Sequence, residues 1–468
     1  MDPHKYRTES DLLGTKQIPA DSLTGIHTAR ALENFDLAGG PVHPRLICAY
    51  GLVKLACVNT NRDLGFIDGQ KAAVIAQAAQ ELASAALIPP APAALQGGAG
   101  TSTNMFVNEV IANRALIIAG RAPGDYKFIS PLDHVNLHQS TNDTYPTALR
   151  VAAIAACAQL ETQVSLLTNS FQQKEKAFAG VVRLARTQLQ DAVLTTMGRQ
   201  MSAYAEAFSK DRWRIYKCGE RLRVVNLGGT AIGSGLGAPT NFIFRATEEL
   251  RKITSLPLAR AENLVAATQN ADDFVEVSGI LKALASNLVK VSSDLRLLGS
   301  GPAGGFGELK LPTRQAGSSI MPGKINPVIA EFAGMCSLQA ISRDTAITLA
   351  ASAGQLELNA FLPLIAHNLL AMIEELALAC EKLRTMLVAD LQTDALNCAR
   401  HIESSTAVIT AFVPMLGYEK ACQIAQQAAD QHKTIKEILL ESGLCSQADY
   451  NRITSPAAVT ALGFRPNP

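Results

Sequence analysis

No excess of charge of either sign runs through this chain of 468 residues, in which 42 Lys and Arg face 41 Asp and Glu for a formal net charge of +1. Nothing therefore marks nucleic acid or a membrane surface as an electrostatic partner, and a small molecule is the better expectation. Aromatic residues are scarce at 5% and charged residues at 18%, which leaves an alanine- and leucine-rich chain, 48% apolar, suited to helices packed on helices. The nine cysteines, at 48, 57, 157, 218, 336, 380, 398, 422 and 445, stand singly, with no C-x-x-C pair and an odd total. A disulfide framework and a zinc site are both unexpected, and the thiols read as buried. There is no cluster of metal-ligating residues, so no metal or other cofactor is expected. No apolar run approaches the roughly 18 residues that span a bilayer, and the first 14 residues have no signal-type apolar core. The expectation is a cytoplasmic protein.

Helix breakers are also missing over long distances. Thr147–Ala179, Ile280–Leu298 and Leu364–Val413 contain neither glycine nor proline, and each reads as a long helix. In the last, Leu364, Ile365, Leu369, Leu370, Ile373, Leu376, Leu378, Leu383 and Leu387 recur at steps of three and four, an apolar stripe suited to a bundle interior. Helices this long are stabilised most readily side by side or across subunits, so an oligomer is expected. The fold class is mainly α, divided into an N-terminal helical domain (1–143), a central long-helix bundle (144–393) and a small C-terminal helical domain (394–468). Short strands are expected near Leu184–Leu189, but no βαβ alternation is present.

Two glycine-rich stretches imitate nucleotide motifs. Gly233, Gly235 and Gly237 fit a relaxed dinucleotide fingerprint, but Pro239 follows at once and no convincing strand precedes them. Gly317–Ile325 resembles a phosphate loop with one residue too many before Gly323-Lys324, and Ile325 stands where a hydroxyl is required. Neither is read as a nucleotide site.

Three distant turns are rich in hydroxyl and amide groups and precede apolar helices: Gly100–Asn104, Gln139–Asp143 and Gly317–Ser319. A helix N-terminus offers unpaired N–H groups and partial positive charge, which suits a carboxylate. Ser, Thr, Asn and Asp are also preferred N-caps, so each turn alone is explained by capping. A cap needs one side-chain oxygen, however, and these turns supply several beside glycines, a surplus that points to a ligand. Lys324 and Asn326 add a point charge and an amide two residues apart. Glycines at 299, 301, 304, 305 and 307 precede them, as in a loop that closes over substrate or in a plain surface loop.

These segments resemble the aspartase/fumarase superfamily, whose signature is met in full by Gly317, Ser318, Ser319, Met321, Pro322, Lys324 and Asn326. GAGTSTNM and VNEVIANRAL (98–116), HVN and QSTND (134–143), RTQLQDAV (186–193), VNLGGTAIG (225–233) and AGQLELN (353–359) extend the resemblance over nearly the whole chain. It implies a homotetramer around a twenty-helix core, with each active site assembled from three subunits. It also implies anti elimination, in which a base removes the proton β to the leaving group and the adjacent carboxylate becomes a dianionic aci-carboxylate. Ser318 would be the base. Thr101, Ser140, Thr141 and the backbone of Ser319 would surround the β-carboxylate, while Asn142, Thr187, Lys324 and Asn326 would hold the α-carboxylate. A serine works as a base only where N–H donors and positive charge stabilise its alkoxide.

Within that superfamily GTSTNM, QSTND, AGQLELN and Gln188 resemble the branch that eliminates ammonia from L-aspartate to give fumarate. Fumarases, by the same resemblance, carry a histidine at the position of Gln188, because hydroxide leaves only when protonated. Phe106, Leu132, His138, Leu194, Gly237 and Ala303 depart from the usual pattern. The alternatives are fumarate hydration or, with the Phe106 face holding the cation, an ergothionase-like elimination of trimethylamine.

Overall fold

The computed structural model describes residues 5–36, 38–87 and 89–463. The outer ends of the expected first and third domains, 1–4 and 464–468, lie outside the described residues. The chain runs β1 (Tyr6–Asp11), β2 (Gly14–Pro19), α1 (Ile26–Phe35), α2 (Pro44–Asp63), α3 (Gly69–Ala83), α4 (Thr101–Ile118), α5 (Thr141–Ala177), β3 (Val182–Thr187), β4 (Gln190–Thr196) and α6 (Met197–Tyr216). It continues as α7 (Cys218–Leu222), β5 (Val224–Val225), α8 (Thr240–Thr254), β6 (Ala259–Arg260), α9 (Leu264–Gln269), α10 (Asp272–Leu298) and β7 (Leu309–Lys310). Then come α11 (Val328–Ser352), α12 (Leu362–Leu383), β8 (Gln392–Thr393), α13 (Ala395–Ser404) and the helices Tyr418–Asp430, Ile435–Glu441 and Gln447–Ile453. The fold is mainly α, and every sheet among the described residues has two strands.

Two of the three expected long helices form with earlier starts, because α5 absorbs Pro146 near its beginning and α10 absorbs Gly279. The third does not form as one element. α12 ends at Leu383, a π-helical turn follows at Arg384–Val388, and β8 pairs with β7 before α13 begins. The helices after the break start on polar N-caps without glycine or proline: Asp394 accepts the N–H of Asn397, and Ser405 accepts that of Ala407. The 25-residue α11 was not among the expected long helices, although Met335–Ala353 is as free of glycine and proline as Ile280–Leu298. α5 and the span Leu362–Val388 have the length and mean hydropathy of membrane spans, yet 56% and 61% of their apolar windows are buried, as in core helices.

The chain forms two compact units, each assembled from three stretches of sequence. The first comprises 1–161, 214–283 and 339–375. Here α2 lies against α3 and α8 and buries Leu46, Ile47, Tyr50, Val53 and Ala56. Gly51 permits the close approach, since a Cβ there would sit 2.6 Å from the backbone nitrogen of Ala83. α4 is buried on nearly all faces from Thr103 to Leu116. The second unit comprises 162–213, 284–338 and 376–468. Its β3–β4 hairpin, the strands anticipated near residues 184–189, packs Leu184 and Leu194 against Val408, Phe412, Ile424 and Leu439. Phe412 stacks on Tyr450 at 5.4 Å.

Candidate active site

In the first unit two of the polar turns meet. Gly100 caps α4 with φ +94°, and a Cβ there would lie 2.1 Å from the Tyr145 ring, so α4 and α5 start in contact only because that residue is glycine. Thr101, the first residue of α4, is exposed and donates its hydroxyl to the Gly98 carbonyl at 2.7 Å. At the start of α5 the Ser140 hydroxyl accepts the N–H of Asn142 at 3.2 Å. The Thr141 hydroxyl accepts Asn104 Nδ2 at 3.3 Å, and Asn142 Nδ2 donates to the Ala231 carbonyl at 2.7 Å. Capping accounts for Ser140, while Thr101, Thr141 and Asn142 are additional polar groups at the same two helix starts.

Pro146 explains how this end of α5 is held. Having no N–H, it leaves the Asn142 carbonyl without its i→i+4 donor. Asn226 Nδ2 takes that place at 3.0 Å and ties α5 to the loop before α8. Asp143 makes the same connection from below: its Oδ1 accepts Ser140 N at 3.0 Å, and its Oδ2 accepts Gly228 N at 3.1 Å and Thr230 N at 3.0 Å. The glycines of the apparent dinucleotide fingerprint belong to this loop, and a Cβ on Gly233 would collide with the Leu264 carbonyl carbon at 2.4 Å. Gly235 likewise packs against Ile243, whereas Gly237 faces open space and serves the turn through its φ of +87°.

Behind the turns lies a polar layer built on a lysine that sequence reading missed. Lys54 on α2 is 1% exposed, and its Nζ donates to Asn136 Oδ1 at 3.0 Å and Gln139 Oε1 at 2.9 Å. Asn136 Oδ1 also accepts Asn104 Nδ2 and Asn108 Nδ2, which links Lys54 to Thr141 through Asn136 and Asn104. Burial lowers the Lys54 ammonium to about 8, against the opposing influence of Cys57 and Asp143. Burial raises the Asp143 carboxyl to about 6, although three N–H bonds and the charge of Lys54 favour its ionised form. A lysine inside the otherwise continuous apolar run Leu52–Val58 of α2 was the one available signal.

Thr187 and Gln188 lie in the second unit, at the tip of the β3–β4 hairpin. Both are exposed, and Gln188 and Leu189 turn the chain with φ +50° and +62°. Behind them Glu308, fully buried, accepts Arg183 Nε at 2.8 Å, Arg186 Nη1 at 2.7 Å and His401 Nδ1 at 2.9 Å. Burial alone would push this carboxyl up, but Arg183 first, then His401 and Arg186, hold it below its usual value. Gly299–Gly307 forms a closed turn in which Gly307 N donates to the Ser300 carbonyl and Phe306 N to its hydroxyl.

Ser318, Ser319, Lys324 and Asn326 share one loop of the second unit. Gly317–Ser319 does not open a helix as expected, since α11 starts only at Val328, after Pro322 and Pro327 have interrupted helical hydrogen bonding. The Ser318 hydroxyl oxygen accepts the N–H of Ile320 at 3.2 Å and of Met321 at 2.9 Å. Ser319 and Lys324 are exposed. Among the described residues no hydrogen bond joins this loop to the hairpin tip.

The departures from the superfamily pattern also have places. Phe106 is fully buried in α4 and offers no face to a cation, contrary to the trimethylamine alternative. His138, with φ +63°, hydrogen-bonds Asn61 Oδ1 through Nδ1 at 2.8 Å and sits edge-on to Phe66 and Phe242, a structural setting. Leu132 is half exposed in a π-helical turn, and Leu194 is core. Among the described residues no group of three or more His, Cys, Asp or Glu is placed to hold a metal.

The family model described as Lyase matches residues 14–342, and that described as Fumarase C C-terminus matches 408–461. The chain is 39% identical to an aspartate ammonia-lyase of Bacillus sp, covering 98% of each chain. It is 42% identical to that of Pseudomonas aeruginosa, covering 97% of each. It is also 40% identical to a class II fumarate hydratase of Thermosynechococcus vestitus, covering 95% of this chain and 96% of the relative. Among solved structures, fumarate lyase:delta crystallin from Brucella melitensis superposes with a TM-score of 0.93 at 41% identity, covering 97% of this chain and 99% of the other. Class II fumarase from Schistosoma mansoni superposes at 0.88 with 31% identity, covering 96% and 98%. With a matching family model over most of its length, relatives along all but a few residues and the same mainly α fold, this chain is a lyase that belongs to the aspartase/fumarase superfamily.

Proposed function

We propose that the chain is an aspartate ammonia-lyase, a carbon–nitrogen lyase that reversibly converts L-aspartate to fumarate and ammonia in the cytoplasm without a cofactor. The observation that carries this choice is Gln188, an uncharged amide at the exposed hairpin tip where hydration chemistry would need a proton donor. Ammonium leaves already protonated and needs none. The curated relatives named aspartate ammonia-lyase, at about 40% identity over nearly full length, support the same choice.

Ser318 takes the C3 proton. The two backbone N–H groups directed at its oxygen support this role, since they stabilise an alkoxide more than a neutral hydroxyl. The negative charge that develops on the β-carboxylate is met by Thr101, Ser140, Thr141 and the Ser319 backbone. Asn142, Thr187, Lys324 and Asn326 hold the α-carboxylate, and Gln188 lies on the amine side. These residues come from different subunits of a homotetramer with a twenty-helix core, within a three-part chain of N-terminal domain, long-helix bundle and C-terminal domain. Exposed apolar side chains on α11, Met335, Leu338 and Leu349, support such packing between copies.

Supplying L-aspartate to purified protein and measuring ammonia and fumarate tests the proposal. Malate formed from fumarate without ammonium would assign the chain to hydration instead.

A further inference from the structure

Lys54 is a buried cation whose hydrogen-bond partners are both neutral amide oxygens. The nearest carboxylate to influence it, Asp143, is committed to three backbone N–H groups and forms no ion pair with it. The other titratable groups nearby do not serve either. Tyr50 and Cys57 on α2 and Tyr145 on α5 are buried, and burial pushes each toward its neutral form. His134, beyond Asn136, faces Lys71, and Glu81 on α3 is paired with Arg114. Glu109 on α4 is turned to the backbone N–H groups of Gly25, His27 and Thr28, and Glu249 on α8 meets Asn59. A lysine ammonium without a counter-ion is costly to bury.

The partners of Lys54 lead to the helix starts bearing Thr101, Ser140, Thr141 and Asn142: Gln139 immediately precedes Ser140, and Asn136 connects through Asn104 to Thr141. We infer that Lys54 is the buried counter-charge of the dicarboxylate bound at these helix starts, and that binding draws a proton from solvent onto its Nζ. Lys54 acts through Asn136, Gln139 and Asn104 and is a positioning residue rather than a catalytic one. The inference rests on the dicarboxylate reading of the site. In the empty protein burial holds Lys54 to about 8, so the amine is increasingly neutral above that pH. A carboxylate overhead favours the ammonium and restores it toward the ordinary lysine value. Linkage then requires that affinity fall as pH rises above the free-state value.

The test is calorimetry of full-length protein with succinate, a dicarboxylate without a leaving group, in two buffers of different ionisation enthalpy between pH 7 and 9. Wild type is expected to bind about tenfold more weakly at pH 9 than at pH 7 and to take up about one proton per site at pH 9. Lys54→Met, permanently neutral, should bind weakly at both pH values with no uptake. Lys54→Arg, permanently charged, should also lose the uptake and the pH dependence. Wild-type binding without uptake overturns the inference, as does uptake that persists in either variant. The wild-type measurement alone decides if neither variant folds. Absence of succinate binding would overturn the inference together with the dicarboxylate reading, whereas succinate binding without ammonia release from L-aspartate would remove only the ammonia-lyase assignment.

Discussion

Asn326 donates its side-chain amide to the carbonyl oxygen of Gly317 at 2.7 Å. With Gly317 N bound to the Lys324 carbonyl at 2.9 Å, this closes the ends of a loop that displays Ser318 between them. The loop is held by its own bonds and its side chains are largely exposed, so it can be altered without disturbing a core.

Ser318→Ala separates base from scaffold. Removal of the hydroxyl should lower kcat for ammonia release by about 10²–10⁴-fold or more. The melting temperature should stay at the wild-type value, because Ser318 Oγ bonds only within the loop. Substantial remaining turnover would take Ser318 out of the base role.

Asn326→Ala opens the loop and removes one proposed carboxylate grip. It should raise KM and lower kcat together, since both binding and the placement of Ser318 suffer. Steady-state kinetics on L-aspartate would contradict this if only KM moved.

Glu308→Gln leaves Arg183 and Arg186 without their buried carboxylate, which should cost about 3–5 kcal/mol in chemical denaturation. The native ion pairs carry a pH signature. Because the Glu308 carboxyl is held below its unfolded value of 4.5, its contribution to stability is present above that value and is lost as pH falls through the lower folded value. The variant should lack this acid-limb loss, and equal acid sensitivity in both proteins would count against the assignment.

Asp143 should behave in the opposite sense. Its carboxyl is raised from 3.8 to about 6, so the folded protein binds the extra proton between those values and this group's contribution to stability falls as pH rises across them. Carbon-detected titration of the Asp143 carboxyl should give a midpoint of about 6. A midpoint at or below 4 would show that its N–H bonds outweigh burial.

The mainly α fold was legible because apolar periodicity over breaker-free segments reports helices packed on helices. The loop with Ser318, Lys324 and Asn326 was legible as a motif, but its local form was not: prolines 322 and 327 keep Gly317–Ser319 away from the helix they were expected to open. The break after α12 was hidden because the chain restarts on the N-caps Asp394 and Ser405, whose side-chain bonds need neither glycine nor proline. Lys54 and Glu308, and the buried roles of Asn136 and Asp143 within motifs already noted, were missed for a different reason. Their meaning lies in burial beside partners distant in sequence, such as Glu308 with Arg183, and no local pattern encodes that.

The central claim is the identity of the leaving group, and it meets its most direct test when purified protein is incubated with L-aspartate and ammonia and fumarate are quantified together. The proposal predicts equal amounts of the two, with no malate when fumarate is supplied without ammonium. Malate from fumarate, or no ammonia from L-aspartate, would contradict it.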